Sequence, residues 1–271
     1  MDILTTIQNI YPQLSLKEKQ IASYVLNKAN EIQNMNISLL ASTVGVSAGT
    51  VTRFCKRIHC NSFAEFKIKL SSVSTPVQKK NADLLNQVYD FYNTVIERSN
   101  SLINKETLVA VVNEIRKAKR IYIYGVGSSG LTATEFNLRL LRMGFNVQSI
   151  TDSHLMLINS SIVSKDDLII AISISGETSE VVNAVTIAKQ NGSKIISMTC
   201  FGESSLASVS DKCVIVASTM SVNKELFVNS QFSVVYIMDL LTTLFLEDDS
   251  NQNKMQITIE TITKQSHLKN N

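Results

Sequence analysis

The sequence predicts an α/β chain in two parts, an all-α helix-turn-helix domain followed by a parallel-sheet α/β sandwich. Three observations carry that expectation. Residues 1–70 contain several helix signals and no convincing strand, whereas from residue 121 short apolar runs alternate with helical patterns. Charge is also divided unevenly: residues 1–80 hold ten Lys and Arg against four Asp and Glu, and the remainder holds sixteen against nineteen. A basic head on a mildly acidic body is the pattern of a module that meets a polyanion.

The chain has 271 residues, enough for two domains, and its 44 % hydrophobic content with only two prolines argues for packed globular structure. No apolar run reaches membrane-spanning length, and the start MDILTTIQNIYPQ lacks a basic end and an apolar signal core, so a cytoplasmic location is expected. Cys55, Cys60, Cys200 and Cys213 form no CxxC pair and read as ordinary reduced thiols; no metal and no cofactor is expected.

Element by element, Ser15-Leu16-Lys17-Glu18 is a capping box, followed by an apolar stripe of Ile21, Tyr24 and Val25. In ISLLASTVGVSAGTVTRFCKRI (37–58), Ile37, Leu40, Ala41 and Val44 mark one helix, Gly45 a turn, and Ser47 the cap of a second helix. Val51, Phe54, Cys55 and Ile58 face inward there. The opposite face is then Gly49, Thr50, Thr52, Arg53, Lys56 and Arg57, which suits DNA: Lys and Arg for phosphates, Thr50, Thr52 and Arg53 for base edges. A plain helical hairpin with a solvated basic face is the alternative. His59, just past that helix, reads as a C-terminal cap or an exposed side chain.

Residues 71–81, SSVSTPVQKKN, read as a linker, and helical patterns follow near 83–97 and 106–118. Strands are expected at IYIY (121–124), FNVQSI (145–150), LIIAIS (168–173), KIISMT (194–199) and KCVIVA (212–217), and an apolar helix at 231–246. The expected division is 1–76 for the helix-turn-helix domain, 77–104 for linker and connecting helix, 105–247 for the sheet domain, and 248–271 for a polar tail with a possible short helix.

Two loops hold the candidate ligand site. GVGSSG (125–130) and SISGET (173–178) each stand where a strand hands over to a helix. Glycine amides and helix N-termini suit an anion, and Ser and Thr hydroxyls add donors. GVGSSG also matches the dinucleotide pattern GxGxxG, with Asp152 about 25 residues on. The hydroxyl-rich second loop and the short sheet favour one compact phosphate ester instead.

At this point the chain resembles the RpiR family of transcriptional regulators. NISLLASTVGVSAGTVTRFCKRIHCNSFAEFKIKL (36–70) is similar to the family's helix-turn-helix, with its V-S-x-x-T-V-x-R-F-C-K core and F-x-E-F-K stretch. IYIYGVGSSG and AISISGET resemble the sugar isomerase (SIS) domain, a phosphosugar-binding fold. The resemblance implies sugar-phosphate contacts from Gly127, Ser128, Ser129, Ser173, Ser175, Gly176 and Thr178, with Glu225 at a position used in enzymic relatives, and DNA contacts from Ser47, Thr50, Thr52, Arg53, Lys56 and Arg57. The chain departs from the family in carrying His59 where Gly is common, Gly49 for Ala, and Gln231 for an Arg.

The resulting expectation is a sugar-phosphate-responsive DNA-binding regulator of carbohydrate genes, without catalysis, acting on operator DNA as a homodimer or homotetramer. Helices 83–118 are the expected signalling route. The alternative is a sugar-phosphate isomerase or lyase with a helical appendage, in which Glu177, Glu225 or His154 would move protons. Glu177 reads otherwise as favourable first-turn helix charge.

Overall fold

A helix exposes four amides at its start, and the residue placed there decides where it begins. Asp2, Asn36 and Ser47 each accept an amide with their side chains, which fixes the starts of α1 (Ile3–Ile10), α3 (Ile37–Val44) and α4 (Ala48–Arg57). Ser15 and Glu18 complete the capping box at the start of α2 (Leu16–Ile32). A fifth helix, α5 (Phe63–Ser74), and a sixth, α6 (Leu84–Leu102), follow. The computed structural model describes residues 2–74, 83–219 and 229–268.

The chain divides into two compact units: Met1–Leu102 with Cys200–Glu203 and Val216–Ser233, and Ile103–Thr199 with Ser204–Ile215 and Val234–Asn271. In the first unit, Leu4, Ile7, Ile21, Leu26, Leu40, Val51, Phe54, Phe66 and Leu70 are all but fully buried. Phe54 of α4 meets Phe66 of α5 edge to face, 6.2 Å between ring centres. Arg98 of α6 is buried and donates to the Asp2 carboxylate at 2.8 Å. The helix expected to connect the domains is therefore packed into the first unit.

The second unit opens with α7 (Lys105–Lys117), and its sheet consists of β1 (Arg120–Tyr124), β2 (Val147–Ile150), β3 (Asp167–Ile172), β4 (Lys194–Thr199) and β5 (Lys212–Ile215). All pairings are parallel and the order is β2-β1-β3-β4-β5. Every residue of β3 is buried, as a central strand covered on both faces requires. Tyr122, Tyr124, Ile169, Ala171 and Ile195 form one face of the core with Val181, Ala184 and Val185; the alternate residues Ile121, Ile123, Leu168 and Ile170 are buried on the other.

Between the strands run α8 (Ser128–Arg142), α9 (Ser153–Ile162), α10 (Ser179–Gln190) and α11 (Ser205–Val209). Beyond β5 come α12 (Phe232–Leu246) and α13 (Asp249–Leu268). The polar tail is thus a helix of 20 residues rather than a short one. At the amino end of the sheet Arg120 grips the buried Asp167 carboxylate with two bonds of 2.7 Å.

Candidate functional site

The recognition module is built around one glycine. Gly45 ends α3 at φ 75°, and its amide and that of Val46 return to Ser42 (3.3 Å) and Ala41 (2.9 Å). The chain then reverses and Ser47 caps α4, its hydroxyl accepting the Thr50 amide at 3.2 Å. Val51, Phe54 and Cys55 point inward; Gly49, Thr52, Arg53, Lys56 and Arg57 are exposed, as is Ser47.

Thr50 corrects the sequence expectation. It is only 4 % exposed, with its hydroxyl 2.9 Å from Ser47 Oγ and accepting from Arg53 Nη2 at 3.3 Å. The third residue of a capped helix turns back under the cap, so Thr50 serves the turn instead of the outer face. Arg57 is also engaged: its guanidinium donates to Glu18 at 3.0 Å while staying half exposed. Burial raises the affinity of the Glu18 carboxylate for a proton, but hydrogen bonds from Ser15 and Arg57 outweigh it and hold the group below its ordinary value.

Past α4 the chain makes the same C-terminal turn as at Gly45, with His59 in the left-handed region at φ 56°. The Cys60 amide returns to Cys55 at 2.9 Å and that of His59 to Lys56 at 3.2 Å. His59 therefore occupies a position that glycine fills without strain, and its side chain is exposed.

The candidate ligand rim lies in the second unit. β1 and β3 are neighbours, Tyr124 beside Ala171, so GVGSSG and SISGET leave the same end of adjacent strands. Here the strand order reverses, β1 leading outward to β2 and β3 to β4, and such a switch point opens a crevice. Gly125 and Gly130 are closely packed: a Cβ on Gly125 would meet the Ser129 carbonyl oxygen at 2.5 Å, and one on Gly130 the Gly125 oxygen at 2.9 Å. Gly127 stands at φ 58° with open space around it.

The helices that begin at this rim differ from most of the others. Asp2, Asn36, Ser47, Asn104, Asp152 and Ser204 each cap a helix with a side-chain acceptor, whereas Gly127 before α8 and Thr178 before α10 make no such bond. Thr178 Oγ1 instead lies 2.9 Å from Ser173 Oγ, and Ser173 Oγ accepts the Gly176 amide at 3.1 Å. Ser175 Oγ accepts the Glu177 amide at 3.2 Å. Ser128 and Ser175 are exposed, Thr178 half-buried, Ser129 and Ser173 buried. The arrangement presents first-turn amides and hydroxyls to one acceptor-rich group, with helix-start potential behind them.

Several residues are placed differently from the sequence reading. The Glu177 carboxylate accepts from Ser205 N (2.8 Å) and Ser205 Oγ (2.6 Å), so it holds the start of α11. Its expected role as first-turn charge on its own helix is thereby corrected. Asp152 caps α9 by accepting the Leu155 amide at 2.9 Å, which takes it out of the ribose role of the dinucleotide pattern. His154 is an exposed residue of α9. Glu225 lies outside the described residues. Sequence reasoning missed Thr199 and Ser204, which close behind the second loop: a Cβ on Gly176 would meet Ser204 Oγ at 2.1 Å and Thr199 Oγ1 at 2.8 Å. Their only signal was position, each beside the end of an apolar run or the start of a short helix. A cavity lined by Val109, Val112, Arg116, Leu244 and Asp248 shares none of the rim residues.

Among the described residues no group of acidic, His or Cys side chains could hold a metal ion, and no helix is long and apolar enough to cross a membrane.

Residues 1–75 match the helix-turn-helix domain of the rpiR family, and residues 114–245 match the SIS domain. An uncharacterised HTH-type transcriptional regulator of Clostridium perfringens is 32 % identical over 262 residues, covering 92 % of this chain and 93 % of that protein. A second from Haemophilus influenzae is 26 % identical and covers 97 % of both. Among solved structures, Vibrio vulnificus NanR complexed with ManNAc-6P shares the fold, with a TM-score of 0.63 at 23 % identity over 97 % of this chain and 98 % of NanR. The sugar isomerase domain of an RpiR transcription factor from Sphaerobacter thermophilus matches 67 % of this chain and 98 % of its own length at a TM-score of 0.60 and 18 % identity. With the rpiR-family helix-turn-helix matched over residues 1–75, a SIS domain over residues 114–245 and a relative matched almost end to end, the chain belongs to the RpiR family of HTH-type transcriptional regulators.

Proposed function

We propose that this chain reads the level of a phosphorylated sugar and adjusts its grip on operator DNA accordingly. The observation that carries the ligand half is the pair of helix starts without side-chain caps at the switch point, surrounded by hydroxyls. Gly127, Ser128, Ser129, Ser173, Ser175, Gly176 and Thr178 surround the phosphate, with Glu225 added by family position. Ser47, Thr52, Arg53, Lys56 and Arg57 face DNA, Thr50 acting behind them. Two copies set two modules on a pseudo-palindromic site in the cytoplasm.

The sensor reading is preferred to an isomerase because the chain carries a helix-turn-helix and because, of the three candidate proton carriers, Glu177 holds α11 and His154 is exposed on α9, Glu225 lying outside the described residues. NanR is complexed with ManNAc-6P, so N-acetylmannosamine 6-phosphate leads the panel of compounds to try, beside other amino-sugar phosphates, N-acetylmuramate 6-phosphate and pentose phosphates. A thermal-shift screen tests the reading, since a ligand that binds only the folded chain at about 100 times its Kd adds about 2.7 kcal/mol of stability. One member of the panel raises the melting temperature and changes affinity for the operator fragment. Turnover of that compound at enzymic rates, or stabilisation without any effect on DNA binding, overturns the proposal.

A further inference from the structure

The β4–α11 connection is divided between the two units. Thr199 and Ser204 belong to the sheet unit, while the four residues between them, Cys200–Glu203, belong to the helical unit. We propose that this short segment reports occupancy of the rim to the recognition helix by way of the first turn of α2, an inference that rests on the sensor reading above.

On the sheet side both flanks are fastened to the second loop. Thr199 Oγ1 donates to the Ile174 carbonyl at 3.2 Å, and Leu206 N donates to the Gly176 carbonyl at 2.9 Å. Ser205 is held by Glu177, and Ser204 fills the space where Gly176 lacks a side chain. A phosphate seated at Ser173, Ser175 and Thr178 competes for the Ser173–Thr178 hydroxyl pair and draws on hydroxyls that already hold the loop amides.

Within the helical unit the segment is fastened to α1, to the turn after it, and to α2. The Cys200 carbonyl accepts from Gln8 Nε2 at 3.3 Å, Phe201 packs against Tyr11 with ring centres 6.1 Å apart, and Glu203 pairs with Lys19 at 2.8 Å. The residue next to Lys19 is Glu18, whose carboxylate holds Arg57 of α4. One turn of α2 therefore grips the rim's connection with one residue and the recognition helix with its neighbour. Only four residues separate the two flanks.

Amide hydrogen exchange on the full-length chain, with inorganic phosphate as the probe, tests it. Phosphate slows exchange at residues 174–180 and changes exchange across residues 16–26 by about threefold or more. Lys19→Gln and Glu203→Gln keep the slowing at the rim and lose the change in α2; the charge exchange Lys19→Glu with Glu203→Lys restores it. A rim that is protected while α2 in the wild-type chain exchanges unchanged overturns this inference and leaves the sensor reading standing. A rim that phosphate does not protect overturns the site itself, and the inference with it. Equal α2 responses in wild type and both single variants also overturn it, since a merely structural ion pair would give that result.

Discussion

The starts of α4 and α10 use the same residue types for opposite ends. At α4 the Ser47 hydroxyl accepts the Thr50 amide, Thr50 turns under it, and the helix start is closed by its own side chains. At α10 Thr178 turns to Ser173 instead, and no side chain from the cap residue reaches the first-turn amides. In the proposed function, the sealed start holds a rigid helix for DNA, whose phosphates are met by side chains further along, and the open start leaves amides for a small anion. What distinguishes them is where the neighbouring backbone goes, not the composition of the motif.

Substitutions break or sharpen that contrast. The largest effect on folding belongs to Gly176→Ala, where a methyl group enters the space of Ser204 and Thr199 at φ 68°. Overpacking and a left-handed alanine together cost about 2–4 kcal/mol, read as a lower midpoint in urea unfolding. Ser175→Ala with Thr178→Ala acts on binding: each donor to a charged group is worth about 1.5–3 kcal/mol, so with both lost calorimetry shows phosphosugar affinity falling by about a hundredfold or more. Unchanged affinity would place the site elsewhere.

Ser47→Ala gives the mirror result, a loss of about 1 kcal/mol of stability with ligand affinity intact, because that hydroxyl caps α4 in the helical unit. Arg53→Ala weakens operator binding about five- to fiftyfold for an exposed groove-facing cation, measured by fluorescence anisotropy, and leaves ligand affinity alone. His59→Gly stabilises the chain by about 0.5–1 kcal/mol in the same unfolding experiment, since the left-handed turn carries no penalty for glycine.

The smallest effect is on pH dependence. Glu18 is held below its ordinary value of 4.5, so the stability it contributes is present above that pH and is lost as pH falls through the folded value. Arg57→Ala removes one of the bonds that depress it, so the melting temperature begins to fall at a higher pH than in the wild type. Because Arg57 is half exposed, added salt shrinks the difference.

The five strands were legible because each is a short apolar run bounded by turn residues, and the structure trims them by a few residues at most. Ser15, Gly45 and Ser47 were legible for a similar reason: caps and left-handed turns act over three to five residues, within reach of the local sequence. Thr50 was misread because helical periodicity places it at the edge of the outer face, and only the cap geometry turns it inward. Glu177 was misread because its partner, Ser205, is 28 residues away.

The sequence by itself determined the two modules, the strand and helix content and the hydroxyl-rich character of the loops, since propensity, periodicity and capping are local properties. Only the tertiary structure decided that the loops share a switch point, that Gly176 is closed from behind by Thr199 and Ser204, and that Cys200–Glu203 joins the helical unit through Gln8 and Lys19. Those facts depend on strand order and on side chains that meet across long stretches of chain, which no local pattern encodes.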